Sequence, residues 1–130
     1  MLKRLRRTAV TTIVLSVVGT AGIAAQQMQH PQGQERTITG RVVDTSCFFG
    51  QGLSGNDHRM CAQVCADRGI ALAILGTDST LYLPTSSAMP GDGQNARLKE
   101  FAEQEVTVTG RVFPAGGARV IQIASIRRKA

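Results

Sequence analysis

The sequence predicts a small all-β domain, a five-stranded Greek-key barrel carrying one or two short helices. Three observations predict it. Five segments have the β-branched or alternating composition of strands: TITGRVVDT, GIALAIL, TLYLPT, EVTVTGRVF and ARVIQIASI. Turn sequences join them in pairs, Gly76-Thr77-Asp78-Ser79 after the second and Pro114-Ala115-Gly116-Gly117 after the fourth. One amphipathic helical pattern falls between the third and the fourth.

Taken in order, residues 37–45 form the first strand, with Gly40 at its centre. An interior glycine marks a bulge or a close backbone approach. Residues 46–69 then interrupt the strand series and hold all three cysteines. Within them NDHRMCAQVCADRG, residues 56–69, predicts a helix, with Asn56 or Asp57 as N-cap and Gly69 as its stop. Residues 69–75 are a short apolar strand and TLYLPT its return. Residues 84–93 are a loop rich in Pro, Ser and Gly. Residues 95–105 place Leu98, Phe101 and Ala102 on one helical face. Residues 105–113 and 118–126 are the last two strands; in the second, Ile121, Ile123 and Ser125 alternate against Val120, Gln122 and Ala124.

TITGRVV (37–43) and TVTGRVF (107–113) agree at five of seven positions. The similarity stops on either side, so it marks two strands in equivalent environments rather than a repeat. Pairing of those two strands would close the barrel. Strand, insertion, hairpin, helix, hairpin is the order of the OB-fold, a small, partly open Greek-key barrel.

The N-terminus sets the expected compartment. MLKRLRRTAV is basic and TTIVLSVVGTAGIA apolar, followed by small residues, the pattern of a secretory signal cleaved near Ala24 or Ala25. Residues 1–25 are read as the signal peptide, residues 26–35 as a flexible Gln-rich lead, residues 36–127 as the OB-like domain and residues 128–130 as a basic tail. The destination is the periplasm or the exterior, and membrane association follows only if the signal stays uncleaved. Of the 15 Lys and Arg, four lie in the signal; the remaining 11 face 9 acids, net +2. The high overall pI is thus in part an export feature and does not mark nucleic-acid binding. No Trp is present, and the aromatic residues form no stacking platform. Nucleic acid is excluded as a partner, and a monomer or weak oligomer is expected. Met28 and His30, soft donors in the lead, read as linker residues.

Function concentrates at Cys47, His58, Cys61 and Cys65. At about 100° per residue, His58, Cys61 and Cys65 fall at about 0°, 300° and 340° on one helix face. Cys47 follows the first strand and can fold back onto that face. The first possibility is a Cys₃His site for Zn²⁺ or Cu⁺, with Asp44 orienting the imidazole from behind. The second is a disulfide of Cys47 with Cys61 or Cys65, expected in an oxidising compartment, with His58 no more than a polar residue at the helix start. A Cys61–Cys65 bond is disfavoured, because consecutive helical turns hold the sulfurs poorly. The third is thiol redox or metal-handling chemistry in the cell envelope, from a Cys–His pair three residues apart. No Ser/His/Asp set, C-x-x-C motif or phosphate loop accompanies it, so catalysis is not expected. Phe48 and Phe49 are expected to close over the insertion as core residues.

GRVVDTSC, a Gly-containing loop, His58, CAQVCADRG, LYL and EVTVTG together resemble a family of small secreted bacterial proteins of unknown function, with an OB-like barrel and a D-[ST]-x-C…H…C-x-x-x-C pattern. The resemblance spans residues 37–126. It implies a fold and a location, and that Asp44, Cys47, His58, Cys61 and Cys65 act as one unit. It implies no activity.

Overall fold

The computed structural model describes residues 32–130. The expected signal peptide, most of the flexible lead, Met28 and His30 lie outside the described residues. Five strands form a closed barrel: β1 (Gln34–Asp44), β2 (Leu72–Gly76), β3 (Leu81–Pro84), β4 (Glu105–Ala115) and β5 (Ala118–Arg128). Their order around the barrel is β1-β2-β3-β5-β4, with β4 returning to β1. Every pairing is antiparallel except β3 with β5. This is the OB-like arrangement that the order of elements predicts.

The repeated TxTGRV segments do pair. Thr37 lies opposite Thr109 and Thr39 opposite Thr107, and the hydroxyls of Thr37 and Thr109 are 3.0 Å apart. The two central glycines serve different ends. A Cβ on Gly40 would run into the Leu75 carbonyl of β2, so Gly40 permits a close backbone approach. Gly110 sits at the register shift between β4 and β5, where the ladder bulges.

Alternation fills the interior. Val106, Val108 and Ile121 are fully buried, with Ile74 from β2 and Val42 from β1. Each such side chain contributes about 1.5–3 kcal/mol relative to its exposed state. The helix α3 (Asn95–Leu98) and the 3-10 turn Lys99–Phe101 add Leu98 and Phe101 to this core.

Two further helices lie between β1 and β2: α1 (Thr45–Gln51) and α2 (Arg59–Asp67), the latter preceded by a 3-10 turn at Asn56–His58. The sequence pattern did not announce α1. Its signals are short-range: Asp44 caps its first turn, and Gly52 ends it at φ 67°. The N-cap expected at Asn56 or Asp57 is not formed. Gly55 precedes the 3-10 turn with no side chain to cap it, and His58 leads into α2 without a side-chain capping bond. Gly69 stops α2 as expected, at φ 88°, so β2 starts at Leu72 and not at residue 69.

The second amphipathic segment is also shorter than its pattern. It ends at Phe101, because Glu103 takes φ 58° and turns the chain into β4. At the ends, Gln34 and Glu35 belong to β1 and not to a flexible lead. Arg128 belongs to β5, and Lys129 bonds Glu105 through both backbone and side chain. The basic tail is therefore tied to the barrel. No helix among the described residues is long and apolar enough to cross a membrane.

Candidate metal centre

Asp44 is the pivot of the Cys/His segment. It ends β1 fully buried. Its Oδ1 accepts the Cys47 amide at 2.8 Å, and its Oδ2 accepts a hydrogen bond from His58 Nε2 at 2.7 Å. One carboxylate thus starts α1 and fixes an imidazole arriving from the next turn. Thr45 anchors the same corner, its amide and hydroxyl both donating to the Ala71 carbonyl. With the helix begun at this point, Cys47 turns inward and is buried. Phe49, two residues on and about 200° around the helix, points outward at 67% exposure. The expected core role for Phe49 is therefore corrected: α1 has one inward face, and Cys47 occupies it.

The helix α2 is oriented by its alanines. Ala62 and Ala66 are buried against the barrel, which leaves Cys61 exposed and Cys65 half-buried. Polar ties hold the helix in place. Asn95 donates to the carbonyls of Ala66 (3.0 Å) and Ile70 (2.7 Å) and accepts the Leu72 amide (3.0 Å). Arg59 donates to the Glu100 carbonyl at 2.8 Å, and Lys99 pairs with Asp67.

The two helices bring three sulfurs together. The Sγ atoms of Cys47, Cys61 and Cys65 all lie within 4.8 Å of one another. Thiolates 2.3 Å from a tetrahedral Zn²⁺ sit about 3.8 Å apart, so small rotations would close the nest on an ion. Ligand atoms of Asp44, Cys47 and His58 form a second group within the same 4.8 Å limit. The expected Cys₃His set is thus resolved into two triads that share Cys47. His58 stands with Asp44 and Cys47, and Asp44 meets the imidazole as expected. All three cysteines are free thiols, so neither expected disulfide, Cys47–Cys61 nor Cys47–Cys65, is formed.

The field around the sulfurs is negative. Burial pushes the Cys47 thiol up to about 12, with Asp44 and then Cys65 adding to the effect. Burial, Asp44 and Cys61 also push Cys65 up. Burial opposes ionisation of Asp44, but the Cys47 amide and His58 together outweigh it and hold the carboxyl below its ordinary range. Such thiols are poor nucleophiles on their own. A bound cation would reverse that preference, because a coordinating thiol is deprotonated outright.

Two residues that support the site were missed by sequence reasoning. Asn95 opens the predicted 95–105 helix and carries no other sequence signal. Glu103, fully buried, accepts the Gly55 amide at 2.7 Å and so holds the loop that delivers His58. Nothing local in the sequence marks either role, because both depend on partners more than twenty residues away. No family model, curated protein or solved structure matches the chain.

Proposed function

We propose that the chain is an exported OB-like binding module that holds a soft metal ion, Zn²⁺ or Cu⁺, on Cys47, Cys61 and Cys65. One observation carries this: thiols from two separate helices converge within 4.8 Å. Soft sulfur donors select these ions over Mg²⁺ or Ca²⁺. Asp44 and His58 then serve as the support, setting the first turn of α1 and with it the aim of Cys47. The role is binding: burial pushes the Cys47 and Cys65 thiols up, away from the thiolate that a nucleophile needs.

The second reading is a stapled module, with Cys47 bonded to Cys61 or Cys65 after export. The closeness of the same sulfurs favours it, and closing a loop of about 15 residues stabilises by roughly 3 kcal/mol. Native mass spectrometry of protein recovered from the periplasm separates the two. A retained Zn or Cu mass supports the metal centre. A loss of two protons without metal supports the staple and overturns the metal reading. N-terminal sequencing of the same sample tests export: a chain beginning near residue 26 supports it, and an intact Met1 in the membrane fraction refutes it.

A further inference from the structure

We infer that the three-thiol nest is a transfer site for Cu⁺, loaded and emptied through Cys61, and not a structural metal centre. The inference rests on the metal-binding reading above and names its cargo.

Donor number comes first. Structural zinc sites are closed by four ligands. Here three sulfurs gather within 4.8 Å of one another, while His58 comes within that distance of Cys47 and Asp44 and not of the whole trio. Three thiolates without a fourth donor common to them suit Cu⁺, which accepts low coordination numbers and soft ligands.

The exposure gradient gives direction. Cys47 is buried, Cys65 half-buried and Cys61 exposed. An ion held there has an anchored side and an open one. Met60, next to Cys61 on α2, is 78% exposed. A thioether is a ligand for Cu⁺ and a poor one for Zn²⁺. Four of the five large apolar residues exposed on the described domain, Phe49, Leu53, Met60 and Val64, lie in the same segment.

The frame is tied through atoms other than the sulfurs. The Asp44 cap, the Thr45 anchor and the Asn95 ties fix both helices through oxygen and nitrogen, and none of these bonds uses a sulfur. A site whose loss leaves the fold intact is free to empty.

Transfer is then a ligand exchange. The sulfur of an acceptor thiol bonds to copper as its proton leaves. The bond from copper to Cys61 breaks, and Cys61 takes up a proton. Copper stays cuprous and no electron is gained or lost.

The test loads the full mature chain anaerobically with Cu⁺ and follows its removal by glutathione over a range of concentrations. One Cu⁺ per chain is expected, with a release rate that rises in proportion to glutathione. Cys61→Ser is expected to weaken Cu⁺ binding at least ten-fold, and the metal-free wild type to keep its far-ultraviolet circular dichroism. One bound Cu⁺ released at a rate independent of glutathione overturns the transfer site and leaves the metal reading standing. So does an ion whose removal unfolds the chain. A chain that binds neither Cu⁺ nor Zn²⁺ overturns both.

Discussion

The Glu103 carboxylate accepts the Gly55 amide at 2.7 Å although 48 residues separate them. The Glu103 amide donates to the Val42 carbonyl at 2.7 Å, and the Val42 amide to the Gln104 carbonyl at 3.1 Å. One residue thus grips the strand that ends in Asp44 and the loop that precedes His58. The second carboxylate oxygen of Glu103 is buried without a partner among the described residues, and its backbone sits at φ 58°. Both are costs that a residue bears for its position.

Those costs make a first prediction that runs against side-chain size. Glu103→Ala and Glu103→Gly remove the same hydrogen bond, but only glycine relaxes at positive φ. Glu103→Gly should be the more stable of the two by about 1 kcal/mol in urea unfolding. The reverse order would show that the backbone at this position carries no strain.

The second prediction concerns His58. It is 8% exposed and bonded to a carboxylate that is fully buried. His58→Ala leaves Asp44 with one partner fewer, and a bond to a charged group contributes about 1.5–3 kcal/mol. The metal-free, reduced variant should lose stability in that range, well beyond the roughly 0.5 kcal/mol of a surface change. A loss inside the surface range would make the Asp44–His58 contact incidental to the fold.

What could be read in the sequence divides along a physical line. The TxTGRV echo marked the β1–β4 seam because strand pairing acts on pattern, and pattern is local. The buried face of Leu98, Phe101 and Ala102 was legible for the same reason. The cysteine cluster was legible as a spacing, since i and i+4 on a helix fix two sulfurs on one side. His58 shows where spacing stops: it shares the helical register of Cys61 and Cys65, yet Asp44 claims its imidazole. The helix α1 was hidden, because TSCFFGQ has no apolar period and owes its helicity to the caps at Asp44 and Gly52. Glu103 was hidden entirely. Its conformation is set by Val42 and Gly55, both remote in sequence.

The third prediction is a pH effect at the β2–β3 turn. Asp78 accepts the Thr80 amide and the Tyr82 hydroxyl, each at 3.0 Å. The Thr80 amide is the main reason that its carboxyl lies below the ordinary 3.8, with burial opposing and Tyr82 assisting. A carboxyl lowered by folding stabilises fully above its unfolded value and loses that contribution as pH falls through the folded one. The stability gap between wild type and Asp78→Asn should therefore be constant near neutrality and shrink below pH 3.8. Thermal melts across that range measure it, and a gap that persists unchanged into acid would refute the assignment.

The last prediction orders the three thiols of the metal-free protein. Cys61 is exposed, Cys65 is half-buried and pushed up by burial, and Cys47 is buried and pushed up to about 12. Alkylation requires both access and the thiolate. Under native, mildly alkaline conditions iodoacetamide should modify Cys61 first, Cys65 more slowly and Cys47 only as the chain unfolds. Peptide mass spectrometry over a time course reads the order directly. Loading with Cu⁺ beforehand should protect all three together, since an ion held by the nest engages every sulfur at once. Protection of Cys47 and Cys65 with Cys61 still reacting at its metal-free rate would remove Cys61 from the ligand set. Modification of Cys47 before Cys61 would contradict the burial on which the whole site is built.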